Sequence, residues 1–172
     1  MSRLRDSLVA YITKDEIEEM TIQLAKQIEA DYEGKEIVLI CPLKGSILFL
    51  ADLARKIQLP QLIDFVQVLP ASRAGVIKIV KDISINLADK HVLIIEEIID
   101  TGRTLSFLRD RILAASPASL KIVTLLDKPA RRELPIKPDY SGRTIEDRYV
   151  VGYGLDCEEL GRNYAELFYL KH

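Results

Sequence analysis

Apolar residues in this chain fall into short runs, separated by longer stretches in which they recur every three or four positions, the pattern of strands alternating with helices. Thr13 and Glu16 form a T-x-x-E capping box, and helical spacing follows as far as a glycine stop at Gly34. EIVLI at 36–40 predicts a short buried strand, and ILFLADLARKIQL predicts a helix ending before Pro60. LIDFVQV predicts a second strand, and VIKIV, which alternates, a third and more exposed one. VLII at 92–95 is the most apolar strand, followed by a helix that Thr104 can cap, and KIVTLL closes the series.

Strands that are apolar on both faces argue for an α/β fold: a mostly parallel twisted sheet flanked by helices on both sides. Ligands in such folds sit at the carboxyl ends of the strands, where the strand order reverses. From about Asp127 the chain turns polar and proline-rich (DKPARRELPIKPDYSGRTIED), then regains strand character in YVVGYGLD. We therefore expect one domain over 1–172, with a core at about 35–128 and a small hood lobe, mainly 129–172, that N-terminal residues can join.

Length and composition narrow the class only modestly. At 172 residues, 48% hydrophobic and 29% charged, the chain has the makings of an ordinary globular domain. A net charge of −2 supplies no global field for nucleic acid or membrane, so any phosphate binding must be local. Cys41 and Cys157 match no metal-ligand spacing and suit a reducing cytosol. With no signal-peptide core and no long apolar run, the expected location is cytoplasmic.

The chemistry concentrates in VLIIEEIIDTGRTL, residues 92–105. Carboxylates seldom gather at the end of a buried strand without a use, because unpaired buried charge is expensive. Asp100, Thr101, Gly102, Arg103 and Thr104 form a turn opening into a helix N-terminus, a good anion site with two hydroxyls as extra donors. Glu96 and Glu97 offer acceptors for a pair of vicinal hydroxyls, although adjacent strand residues point to opposite faces unless the chain bends. A ligand with a phosphate at one end and neighbouring ring hydroxyls is a ribose 5-phosphate.

This stretch resembles the phosphoribosyl-diphosphate-binding motif of type I phosphoribosyltransferases, in the form used by their 6-oxopurine branch, the hypoxanthine-guanine phosphoribosyltransferases. PLKGS, VKD, LLDKP, KPDY and VVGYGLD follow in that family's order, so the resemblance spans about residues 36–163. It implies transfer of phosphoribose from phosphoribosyl diphosphate to a 6-oxopurine with Mg²⁺ bound. By resemblance, Glu96 and Glu97 hold the ribose hydroxyls, Asp100 handles the N7 proton, and residues 101–104 hold the 5′-phosphate. Leu43, Lys44, Gly45 and Arg162 face pyrophosphate, while Lys128, Tyr149, Val150 and Asp156 face the purine. Glu96, Glu97 and Asp156 are the implied metal ligands. The family's habit of forming dimers or tetramers implies a homo-oligomer, with no nucleic-acid or membrane partner.

The chain departs from the family pattern in two places. Glu97 stands where the family usually writes aspartate, which lengthens the side chain by one methylene and displaces the carboxylate. LPASRAG at 69–75 is a short lid that has Ser72 but lacks the usual Ser-Tyr pair; Arg73 is a candidate pyrophosphate contact. Those departures motivate a second reading, a nucleotide-sensing protein with weakened catalysis. A third keeps the enzyme and changes the base to xanthine.

Overall fold

The computed structural model describes residues 2–69 and 77–171, with side chains from residue 4 onward. The expected lid with Ser72 and Arg73 lies outside the described residues. In chain order the elements are α1 (Ser2–Asp6), β1 (Leu8–Ile12), α2 (Lys14–Asp31), β2 (Ile37–Pro42) and α3 (Ile47–Lys56). Then come β3 (Gln61–Leu69), β4 (Lys78–Lys81), β5 (His91–Ile99), α4 (Arg103–Leu113) and β6 (Ser119–Asp127). A short 3₁₀ turn (Pro129–Arg131) precedes β7 (Tyr140–Thr144), β8 (Val150–Val151) and β9 (Leu167–Leu170).

Six strands form the main sheet in the order β4-β3-β2-β5-β6-β7, parallel except for the edge strand β4. All six positions of β2 are buried, as a strand covered on both faces requires. Alternate residues feed two cores. Leu39, Leu93, Ile95 and Val123 pack with Ile17, Leu24 and Ile28 of α2 and Phe49 and Leu53 of α3. Val38, Ile40, Val92 and Ile94 pack on the other side with Leu105, Leu108 and Ile112 of α4. Each such side chain contributes roughly 1.5–3 kcal/mol when fully buried. The capping box forms as expected: the Glu16 amide donates to Thr13 Oγ1, and the Thr13 amide donates to Glu16 Oε2.

A separate antiparallel sheet, β1-β9-β8, makes the hood. It draws on the N-terminal residues through β1, which the sequence pattern had not marked as a strand. The boundary expected at residue 129 does not follow the sheets, since β7, inside the polar proline-rich segment, pairs with β6 at the edge of the main sheet. Tyr153 of the hood donates to Asp52 Oδ2 of α3 at 2.6 Å and so docks hood on core. Among the described residues no helix is long and apolar enough to cross a membrane.

Asp64 on β3 anchors the β4 arm. Its carboxylate accepts from Lys81 Nζ at 2.9 Å and from the amides of Phe65, Ser84 and Ile85. Burial alone would raise this carboxyl, but the ammonium and the three amides outweigh it and hold it at about 2, below the ordinary 3.8. A depressed carboxylate contributes stability above its unfolded value and loses it as pH falls through the folded one. Asp64→Asn should therefore cost about 2 kcal/mol at neutral pH. Thermal unfolding at pH 7 and at about pH 2.5 should show the gap from wild type narrowing in acid.

Candidate active site

The strand order reverses between β2 and β5: from β2 the sheet grows outward through β3, and from β5 through β6 to β7. The loops leaving these two strands, residues 43–46 and 100–102, face each other across a cavity of about 310 Å³. Its walls include Leu43, Gly45, Ser46, Glu96, Glu97, Asp100, Thr101, Gly102, Arg103, Thr104 and Leu155.

At the anion end, the helix start differs from expectation. Thr104 does not cap it: α4 begins at Arg103, and Gly102 is the N-cap, with φ +82° and no side-chain cap. The left-handed backbone calls for glycine, and a Cβ there would come within 2.5 Å of Ile136 Cγ2. The Arg103 amide donates to Thr101 Oγ1 at 3.4 Å, and Thr101, Gly102, Arg103 and Thr104 line the cavity at the start of α4, where first-turn amides have no intrahelical partner.

Glu96 and Glu97 both line this cavity. The side-chain alternation of β5 breaks where they stand: Leu93 and Ile95 share one core with Ile98, whereas Val92 and Ile94 share the other with Ile99, and Glu97 drops out of the pairing with β6. The 43–46 loop supplies the link. Ser46, which could have capped α3, makes no cap bond. Its hydroxyl instead donates to Glu96 Oε2 at 3.0 Å and accepts from the Glu97 amide at 3.2 Å. Glu97 Oε2 meanwhile lies 3.2 Å from where a Cβ on Gly45 would stand. Residues 45 and 46 thus engage one carboxylate each. A Leu43–Lys44 cis peptide opens this loop.

Glu97 is only 1% exposed, and neither carboxylate oxygen has a hydrogen-bond partner among the described residues. Burial pushes its carboxyl well above the usual range, offset in part by the Leu155 amide, whose hydrogen bond goes to the Gly152 carbonyl. Burial likewise raises Glu96 to about 7 against the hydrogen bond from Ser46. Such a pair awaits donors or a cation. A buried carboxylate with two free oxygens fits a hard, oxygen-ligated ion that takes one or two protein carboxylates and keeps other oxygens from ligand and water. Glu96, Glu97 and Asp156 do not gather into one metal-ligand group among the described residues. Asp156 is engaged elsewhere, its oxygens held by Arg162 at 2.8 Å and by the Glu159 amide at 2.8 Å.

The remaining candidates sit outside the cavity wall, in two clusters. On the hood side, Arg162 Nη1 donates to the Gly154 carbonyl, and Glu159 pairs with both Arg162 and Lys44. Glu159 is therefore a counter-ion of Lys44 and Arg162, two of the cationic candidates for pyrophosphate, a role nothing in the sequence pattern signals. On the β6 side, Lys128 is 5% exposed, and its backbone amide donates to the Ile99 carbonyl, which brings it level with Asp100. Arg131 Nε stands 3.2 Å from Asp100 Oδ1. Tyr149 is 51% exposed with its hydroxyl on the Asp156 carbonyl, while Val150 is buried in β8.

Residues 12–158 match the phosphoribosyl transferase domain model. The chain belongs to the phosphoribosyltransferase family. Two relatives bear the name hypoxanthine-guanine phosphoribosyltransferase: one from Streptococcus pneumoniae, 43% identical over 93% of this chain and 91% of its own, and one from Staphylococcus aureus, 40% identical over 93% and 92%. A crystal structure of a hypoxanthine-guanine phosphoribosyltransferase from Bacillus anthracis superposes with a TM-score of 0.91, at 42% identity over 95% of this chain and 97% of that one. Likeness at this level extends through hood and core of the phosphoribosyltransferase alike.

Proposed function

We propose that this phosphoribosyltransferase moves the 5-phosphoribosyl group from phosphoribosyl diphosphate to N9 of hypoxanthine or guanine, giving IMP or GMP and pyrophosphate in purine salvage. The observation that carries this is the cavity itself: the Thr101–Thr104 helix start, the adjacent carboxylates of Glu96 and buried Glu97, and Asp100 with Lys128 level beside it.

The 5′-phosphate sits on Thr101, Gly102, Arg103 and Thr104, at the positive end of α4. Glu96 and Glu97 accept the ribose hydroxyls, and Glu97, with Glu96 beside it, would hold Mg²⁺, which when bound neutralises charge on the diphosphate. Leu43, Lys44 and Gly45 face the leaving pyrophosphate, with Arg162 across from them. As N9 forms its bond to C1′, the C1′–O bond breaks and its electron pair leaves with pyrophosphate. Asp100 takes the proton from N7, which makes N9 a better nucleophile. Positive charge building at C1′ is stabilised by the carboxylates beneath it. Tyr149 stacks on the purine, and Val150 and Asp156 line its edge.

Selectivity follows from Lys128. A lysine donates and cannot accept, so it suits a 6-oxo group and leaves a 6-amino group without a partner. Purified protein with Mg²⁺ and phosphoribosyl diphosphate should release pyrophosphate with hypoxanthine or guanine and none with adenine. Nucleotide binding without turnover on any base would favour a sensor instead, and turnover on xanthine alone would change the substrate. We also expect a homo-oligomer, which sedimentation reads directly.

A further inference from the structure

Three ion pairs beside the cavity form a chain of alternating charge. Asp100 Oδ1 lies 3.2 Å from Arg131 Nε, Arg131 Nη1 lies 3.9 Å from Asp147 Oδ1, and the same Asp147 oxygen lies 3.5 Å from Lys128 Nζ. Asp147 is thus shared by two cations. The burial is lopsided: the Lys128 side chain is 6% exposed, whereas Asp147 and Arg131 are about half in solvent, and Asp100, though partly exposed, buries the Oδ1 that faces Arg131. A nearly buried ammonium needs its counter-charge far more than an exposed one does, so Asp147 is more than a decorated surface pair. Its place in the chain adds to this. Asp147 stands two residues before Tyr149, and Arg131 closes the 3₁₀ turn that Lys128 opens, its amide donating to the Lys128 carbonyl. The acid therefore ties together the two segments between which a purine would lie.

None of the three contacts is hydrogen-bonded among the described residues, so the buried Asp100 Oδ1 is open to a better donor than Arg131. We propose that Asp147 and Arg131 are positioning residues for the incoming purine, an inference that rests on the transfer reaction above. Asp147 holds the Lys128 ammonium against the 6-oxo edge. Arg131 occupies the Asp100 carboxylate while no base is bound and swings to Asp147 when a purine N7–H takes its place. A free base bears that proton on the imidazole ring, and the nucleotide product does not. Arg131 therefore competes with the base and leaves the nucleotide alone.

The test compares wild type with Asp147→Asn, Asp147→Glu and Arg131→Met. It measures KM for hypoxanthine, KM for phosphoribosyl diphosphate and kcat, with IMP affinity from calorimetry. Asp147→Asn is expected to raise the base KM and weaken IMP on the order of tenfold, with the phosphoribosyl diphosphate KM unmoved and Asp147→Glu restoring most of the loss. Arg131→Met is expected to lower the base KM while IMP affinity stays at the wild-type value, a split that a merely structural ion pair would not produce. An unchanged base KM in Asp147→Asn, or base and IMP weakening together in Arg131→Met, overturns the proposal while wild-type turnover leaves the reaction standing. A wild type that neither turns over a 6-oxopurine nor binds IMP overturns both.

Discussion

Asp100→Asn is expected to lower turnover roughly a hundred- to ten-thousand-fold, the range general acid–base catalysis commonly supplies, while phosphoribosyl diphosphate binds nearly as before. Asparagine keeps the size and the acceptor oxygen of aspartate but cannot take a proton from N7. The binding contacts survive for a geometric reason. Residues 101–104, proposed to cradle the phosphate, and Glu96 and Glu97, proposed to hold the ribose, line the cavity independently of the Asp100 carboxylate, the two acids lying on the strand that precedes the turn. Steady-state kinetics with hypoxanthine, together with calorimetric titration of phosphoribosyl diphosphate, separates the two effects. Near-normal turnover would remove Asp100 from the proton-transfer role. Equal loss of turnover and binding would mean that the substitution had disturbed the turn, whose neighbour Gly102 tolerates no crowding against Ile136.

What the sequence made legible was whatever is local. VLII and the IVLI of residues 37–40 are apolar at every position, and strands covered on both faces can be little else, so β2 and β5 were readable at once. The acid pair followed by DTGRT was readable because its parts are contiguous and each has one obvious chemistry. Less legible was anything set by long-range pairing. β7 lies in a segment whose composition says loop, and it becomes a strand because Tyr140–Thr144 meets the open edge of β6. β1 is likewise made by its partner β9 rather than by its own pattern. The same holds inside the site. Ser46 reads as a helix cap, and only the approach of β5 across the switch point turns its hydroxyl toward Glu96 and Glu97. Glu159, Arg131 and Asp147 are charged residues in loops, which sequence alone assigns to solvent. Their pairing with Lys44, Arg162, Asp100 and Lys128 depends on how hood and core meet.

That meeting is also where the altered acid pair finds its space. Glu97 carries one methylene more than the aspartate expected there from the resemblance, and its length has to go somewhere in a closed site. Its carboxylate ends beside Gly45 of the core loop and Gly154 of the hood, two residues with no side chain to resist it. Ser46 keeps Glu96 in place by a hydrogen bond rather than by space. Glu97 is therefore accommodated by backbone approach, and the 43–46 loop and the hood are both set against it.

Gly154→Ala is accordingly expected to be the most damaging single substitution in this neighbourhood. Gly154 adopts φ +103°, a conformation that side chains rarely take, and a Cβ would fall 2.0 Å from the Gly45 carbonyl oxygen and 2.6 Å from Glu97 Oε2. The first of those atoms is backbone, so relief requires the hood loop and the 43–46 loop to part. The Arg162 guanidinium, which donates to the Gly154 carbonyl, would move with it. Backbone strain at such a position costs of order 1–3 kcal/mol, and overpacking costs a similar amount again. A chain of this size should then lose about 10 °C in Tm. Binding should suffer beyond stability, because the displaced atoms border the side of the cavity proposed to take pyrophosphate and metal. We expect phosphoribosyl diphosphate affinity, measured well below the variant's own Tm, to fall more than tenfold. Gly34→Ala is the control: it also has a positive φ, but its Cβ meets nothing within 4 Å. It should lose a little stability and no affinity. If Gly154→Ala resembled that control, with intact binding, the close approach of hood and loop would not be a requirement of the site.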